Sequence, residues 1–287
     1  MIEDSKIRWL HVEPTSQCNA HCPACPRNNN GYGLIDGLSI QDLSIENLAK
    51  VFDRFSSIDS VQFCGNYGDP IAAKNIIEQI EFVISKNVSR IQIHTNGSLK
   101  TKAWWKNLAK ILSTVNESYV EFAIDGLEDT HSIYRQGTDF NKIISNATAF
   151  INAGGTAYWQ FIPFKHNEHQ IKDCIRLSQK LGFKKFNFVK NARYKDVSYH
   201  YKTRKKIDIG PWSKDSIYNN HVKKNKKIVH IKNCMHLSYP SVFISANGSI
   251  SPCCYMSSIN YNDIDIANDF NKENFHRICT KSCGSSL

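Results

Sequence analysis

The chain reads as an α/β protein, a parallel sheet of six strands wrapped by helices and two strands short of the eight that close a full barrel. Two observations predict this. From residue 9 to residue 189, alternating apolar runs and amphipathic helical runs succeed each other with few interruptions. In addition, 287 residues with 41% hydrophobic content are enough to bury one substantial core beside a small second unit.

In chain order the strand candidates are 9–13, 60–64, 90–95, 119–124, 157–162 and 185–189, and helix candidates at 44–55, 74–86, 101–113, 139–153 and 168–181 fill the gaps. The first strand is Trp9-Leu10-His11-Val12-Glu13. Cys64 ends the second and is expected to be buried. The fifth helix carries its own punctuation. Asn167 is placed to cap it, with Gln170 reaching back, while Ile171, Cys174, Ile175 and Leu181 share one face and Gly182 follows the end. Cys174 is therefore read as core. After residue 195 the rhythm breaks. A basic stretch comes first, followed by residues 242–251, where Asn247-Gly248 between alternating apolar residues signals a hairpin.

Composition excludes several classes. No apolar run approaches the ~20 residues of a membrane span, and Met1-Ile2-Glu3-Asp4 lacks the order of a signal peptide, so the expected location is the cytoplasm. In that reducing compartment ten cysteines read as metal ligands or buried thiols, not disulfides. The net charge of +10 is uneven, since Lys202 to Lys232 holds ten Lys or Arg against Asp208 and Asp215. Such a stretch either attracts phosphate, nucleic acid or acidic peptide, or is a solvated connector.

The most informative run is Cys18-Asn19-Ala20-His21-Cys22-Pro23-Ala24-Cys25. A [4Fe-4S] cube normally takes four Cys ligands, so three thiolates hold it while leaving one iron open to an exogenous molecule. The alternative is a zinc site, which usually pairs its ligands and closes all four positions. With CxxxCxxC after the first strand, the sequence resembles the radical S-adenosylmethionine (SAM) superfamily. The resemblance implies a partial (β/α)6 TIM-like barrel over residues 1–195, with Cys18, Cys22 and Cys25 as cluster ligands. It also implies SAM bound on the free iron and cleaved by one electron to a 5′-deoxyadenosyl radical that abstracts hydrogen from carbon.

Ligands of such sheets bind at the carboxyl ends of the strands, and three further loops there match the superfamily in order. Gly65-Asn66-Tyr67-Gly68-Asp69-Pro70 resembles its GGE-type motif, implying that Gly68 and Asp69 meet the SAM amino group. Read alone, it is also an ordinary Gly-Asp-Pro turn. Thr95-Asn96-Gly97 resembles a motif near the SAM methionine or ribose. Ile124-Asp125-Gly126 resembles the family's xDG, with Asp125 facing the ribose, and Arg135 is placed to pair with the SAM carboxylate or else is a surface charge. Ala24 departs from the bulkier residue many members carry near adenine.

A second resemblance covers the tail. Cys234, then Gly248, then Cys253 resembles the Cys…Gly-x4-Cys signature of SPASM and twitch domains, implying a small unit at 234–287, a β-hairpin plus helix beyond a basic connector at 196–233. Five tail cysteines suffice for one auxiliary [4Fe-4S] cluster, with Cys234, Cys253, Cys279 and Cys283 as ligands and Cys254 spare. A four-cysteine zinc knot needs the same thiolates. The expected function is radical oxidation of a sugar-like or phosphorylated, hence anionic, small molecule, with flavodoxin or ferredoxin as reductant. The alternative is modification of a ribosomal peptide or of an RNA. Against the peptide stands the absence of a leader-binding segment before Cys18. For RNA stand Tyr194, Tyr199, Tyr201 and Tyr218 among the basic residues.

Overall fold

The computed structural model describes residues 4–189, 198–213 and 239–257. Strands β1 (Trp9–Val12), β2 (Ser60–Phe63), β3 (Arg90–Thr95), β4 (Glu117–Ala123), β5 (Ala157–Phe161) and β6 (Lys185–Phe188) lie side by side in chain order, each pair parallel. They form a partial TIM-like barrel. Helices α1 (Ile45–Arg54), α2 (Ile76–Ser85), α3 (Lys102–Leu112), α4 (His131–Tyr134), α5 (Phe140–Asn152) and α6 (Ile171–Lys180) connect them.

Three of the helices begin one residue later than expected because their first predicted residue is a cap. The side chains of Ser44, Thr101 and Asp139 accept from the backbone N–H of Asn47, Trp104 and Lys142 while their own backbones stay extended. The fifth expected helix differs more. A 3-10 turn at Glu168–Gln170 precedes α6, and Asn167 makes no cap bond. Its side chain instead accepts from Phe164 N (2.7 Å) and donates to Ile162 O (3.0 Å) and Asp125 O (3.2 Å). Gln170 accepts from Leu127 N (2.9 Å) and the Thr130 hydroxyl. Both side chains tie the loop after β5 to the loop after β4, satisfying buried backbone groups that have no ladder partner. Gly182 ends α6 at φ +86°.

Strand alternation separates two faces. Ile91, Ile93, Val120, Phe122, Trp159 and Phe161 are fully buried on the helix side, where Trp105 of α3 packs 5.1 Å from Phe122 and 6.1 Å from Phe150 of α5. Gln92, His94, Glu121, Gln160 and Asn187 alternate with them and face the barrel interior.

The expected hairpin forms, with β9 (Ser241–Ile244) and β10 (Ile250–Ser251) antiparallel about Gly248 at φ +84°. It does not stand apart. β9 runs parallel to β1 from Trp9↔Ser241 to Val12↔Ile244, so the hairpin extends the barrel sheet. Between barrel and hairpin, β7 (Ser198–Tyr199) and β8 (Lys206–Ile207) form a short antiparallel pair. No helix among the described residues is long and apolar enough to cross a membrane.

Candidate active site

The loop leaving β1 is held by its own polar side chains. Arg27 is buried and donates to Ser16 O (3.2 Å) and Cys18 O (3.1 Å), and Asn28 donates to Cys22 O (2.9 Å). His21 N donates to Gln136 O (2.7 Å), anchoring the loop to the turn after α4. Cys18, Cys22 and Cys25 thereby line one cavity of about 310 Å³ together with Gly68, Asp69, Thr95, Asn96 and Arg135. Burial, with Asp69 nearby, pushes the Cys18 thiol far above its ordinary pKa, a cost that a bound cation would offset. Among the described residues no three Cys, His, Asp or Glu side chains converge as ligands of a single metal ion. The thiols are instead spread around the cavity. Three soft donors lining one cavity without converging on a single point fit a polynuclear group better than a closed tetrahedral zinc.

Asp69 is buried, and its carboxylate accepts from Ile71 N (3.0 Å), the Thr95 hydroxyl (2.8 Å) and Asn96 N (2.7 Å). It therefore clamps the loop after β2 to the end of β3. A carboxylate has about four acceptor sites, so about one remains for a ligand. Burial raises its pKa against these bonds and the Arg135 charge. Gly68 is required by close approach, since a Cβ there would lie 1.8 Å from Thr15 O. Beneath the loop, Glu13 accepts from Tyr67 N at 2.7 Å and Gly68 N at 3.4 Å, and burial pushes its carboxyl up against those bonds.

Asn96 donates to Asn19 Oδ1 (3.0 Å) and lies 3.8 Å from the Cys18 sulfur, joining the end of β3 to the cysteine loop. Asp125 has no exposed surface and does not line the cavity. Its Oδ2 accepts from Arg135 Nε (2.6 Å) and its Oδ1 from Ile162 N (2.7 Å). Arg135 does reach the cavity, with Nη1 4.0 Å from the Cys22 sulfur. Burial is the largest influence and works against its charge, but Asp125, Cys22 and Tyr134 together outweigh it and raise the guanidinium pKa. Behind this pair His131 accepts from Asp125 N (3.1 Å) at Nδ1 and pairs with the Thr138 hydroxyl (2.9 Å) at Nε2, and burial lowers its pKa to about 3.

All three expected thiols of the cysteine loop thus meet Gly68, Asp69, Thr95, Asn96 and Arg135 in one cavity, and Asp125 stands one layer behind it. Cys174 is core, as read, whereas Cys64 is only half-buried and lines the cavity. Cys253 is buried and Cys254 half-buried, with Cys254 O accepting from Asn66 Nδ2 (2.8 Å), so this part of the tail sits against the loop after β2. Cys234, Cys279 and Cys283, together with Tyr194 and Tyr218, lie outside the described residues. Sequence reading missed Glu13, His94, Glu121 and Gln160. The last three also line the cavity, and the alternation in Ile93-His94-Thr95, Val120-Glu121-Phe122 and Trp159-Gln160-Phe161 carries the signal.

A model of the radical SAM superfamily matches residues 12–189, from the end of β1 past the end of β6. The chain belongs to the radical SAM superfamily. This radical SAM chain is 28% identical over 144 residues to the 7,8-dihydro-6-hydroxymethylpterin dimethyltransferase of Methanocaldococcus jannaschii, covering 47% of the chain and 26% of that protein. It is 29% identical over 140 residues to the GTP 3′,8-cyclase of Desulforamulus reducens, covering 48% and 40%. These matches therefore span less than half the length of either relative. In fold, the radical SAM chain is similar to Streptococcus suis SuiB bound to S-adenosylmethionine, with TM-score 0.59, 15% identity and coverage of 94% of this chain and 66% of that one. It is similar also to anSMEcpe with bound AdoMet, with TM-score 0.60, 17% identity and coverage of 95% and 85%.

Proposed function

We propose that this chain binds a [4Fe-4S] cluster on Cys18, Cys22 and Cys25 and, with SAM in the same cavity, abstracts hydrogen from a bound substrate. The observation that carries the reading is the convergence of three thiols and the Arg135 guanidinium on one cavity. When bound and reduced, the cluster and SAM supply the 5′-deoxyadenosyl radical. The chain's own residues bind and orient. Arg135, aimed by Asp125, pairs with the SAM carboxylate, a geometry suited to a guanidinium. Gly68 and the remaining acceptor site of Asp69 face the SAM amino group, with Thr95 and Asn96 fixing that loop. Flavodoxin or ferredoxin is the proposed electron donor.

Within this reading we favour oxidation of a sugar-like or phosphorylated small molecule, with Cys234, Cys253, Cys279 and Cys283 holding an auxiliary cluster. Modification of a peptide is the second reading, because SuiB bound to precursor peptide SuiA shares the fold at TM-score 0.61. RNA has less support. Tyr201 already stacks on His21 at 4.2 Å between centroids, and Tyr199 packs on Tyr32 at 4.4 Å, so those rings are engaged within the protein. The deciding experiment replaces Cys18, Cys22 and Cys25 together by Ala and measures 5′-deoxyadenosine released from SAM under dithionite. Loss of release is expected, and retained release rejects the reading.

A further inference from the structure

On the interior face of the barrel a half-buried polar row crosses four strands, centred on the buried Glu121. His94 on β3 and Glu121 on β4 are paired in register, with His94 Nδ1 3.1 Å from Glu121 Oε1. Gln160 of β5 donates to the same oxygen at 2.7 Å, and Asn187 of β6 donates to Glu121 Oε2 at 2.6 Å. Burial acts to raise the Glu121 pKa, but the hydrogen bonds from His94, Asn187 and Gln160 and the His94 charge overcome it and hold the carboxyl below its ordinary value. An ionised carboxylate only accepts, so every neighbour must turn a donor toward it. That settles the amide orientations and places the imidazole proton on Nδ1.

The consequence lies on the other side of each group. Two amides that give their NH2 to Glu121 turn their carbonyl oxygens away from it, and His94, with Nδ1 on Glu121, turns Nε2 away likewise. His94 Nε2 is in fact buried without any partner. An orphaned polar atom beside a cavity calls for a missing ligand or water. His94, Glu121 and Gln160 all line the cavity that holds Cys18, Cys22, Cys25 and Arg135. A closed eight-stranded barrel fills its interior with branched apolar side chains, whereas this partial barrel keeps a cavity there and lines it with polar ones.

We infer that the row His94, Glu121, Gln160 and Asn187 is the substrate subsite, and that it takes a ring bearing several hydrogen-bond donors, hydroxyl or amine groups, and not a phosphate or carboxylate. The inference rests on the radical reading above for its purpose and deepens it by naming the substrate class. Glu121 is a positioning residue that sets the acceptor pattern, held from behind by Asn187, while His94 and Gln160 make the contacts. An anionic group on the substrate must then lie elsewhere, because the Glu121 carboxylate and the outward carbonyl of Gln160 on this wall repel it.

The test uses the anaerobically reconstituted full chain with SAM, and saturation-transfer NMR with four probes: glucosamine, scyllo-inositol, glucose 6-phosphate and a fully O-methylated glucoside. The methylated ring loses every donor but gains bulk, so the two protein variants Glu121→Gln and Gln160→Leu separate a lost hydrogen bond from a clash. The two donor-rich neutral or cationic rings are expected to bind, with the methylated ring at least about tenfold weaker, the effect of losing one or two hydrogen bonds. Glu121→Gln, which keeps shape while reversing the donor pattern, is expected to weaken glucosamine binding about tenfold. Gln160→Leu provides a second variant should the first unfold. Equal binding of the methylated ring, binding of the phosphate alone, no binding by any ring, or unaltered affinity in both variants would each overturn the subsite. The radical reading fails separately, through wild-type protein that binds glucosamine yet releases no 5′-deoxyadenosine from SAM.

Discussion

Arg135 and Asp125 form the pair through which a buried loop presents charge to the cavity, and removing either partner has a different signature. Asp125 is wholly buried, so Asp125→Ala leaves a guanidinium uncompensated and costs about 3 kcal/mol or more in a denaturant titration. Arg135→Ala is expected to weaken SAM binding by about one to two decades while leaving iron content unchanged, since a charge-assisted contact is worth ~1.5–3 kcal/mol. Unchanged SAM affinity in Arg135→Ala would remove that role. His131 behind the pair gives a pH signature. Its folded pKa is depressed to about 3 by burial, so its stabilising contribution is present above the unfolded value near 6.5 and is lost as pH falls toward 3. Wild-type protein should therefore lose more stability between pH 7 and pH 4 than His131→Gln, by an amount on the order of a few kcal/mol; parallel slopes would refute this. Arg135 was legible from sequence as a cavity residue. The burial of Asp125 was not, because its partner Ile162 N comes from the next strand's end, and xDG says nothing of what lies above it.

At the scale of elements, what could be read locally was read closely, and what depended on a neighbour was not. Ser44, Thr101 and Asp139 act within their own helices, and the expected boundaries fell within a residue or two. Asn167 also looks like a cap, yet its Oδ1 is taken by Phe164 N while its Nδ2 donates to Ile162 O and to Asp125 O, the last a group that sequence spacing cannot place. The polar face of β3 to β6 was legible as alternation, but its significance needed the sheet to curve. The loop after β2 depends on two glycines, Gly65 packed against the Gly68 backbone and Gly68 against the cysteine loop. A side-chain carbon added at Gly68 would lie 1.8 Å from Thr15 O, and Asp69 N donates to Gln17 O at 2.7 Å, so the two loops touch backbone to backbone. Gly68→Ala must push them apart, and because Asp69 rides on that loop the variant is expected to lose about 2 kcal/mol of stability together with most SAM affinity. Calorimetric titration of SAM alongside thermal melts would measure both, and full affinity in a stable variant would contradict the close approach.

For the whole molecule, the barrel followed from the order of strands and helices, since parallel neighbours in sequence are neighbours in space. The placement of β9 did not follow. It lies against β1 across more than two hundred residues of chain, and nothing local in Ser241–Ile244 distinguishes that edge from a separate small sheet. Its consequence is that residues 239–257 arrive beside the cavity, where Cys254 O accepts from Asn66 and Tyr255 lines the wall. Cys253, one of the proposed auxiliary-cluster ligands, thus lies on a segment that touches the loop after β2, the loop proposed to meet SAM. Two four-iron clusters imply about eight irons per chain and little zinc in anaerobically reconstituted protein. Replacing Cys234, Cys253, Cys279 and Cys283 by Ala should halve that iron, and replacing Cys18, Cys22 and Cys25 should remove the other half. A wild-type count of about four irons with one zinc would instead make the tail a structural knot. The proposed substrate oxidation would then be without its electron acceptor, and a redox-neutral reaction would become the better account of the same cavity.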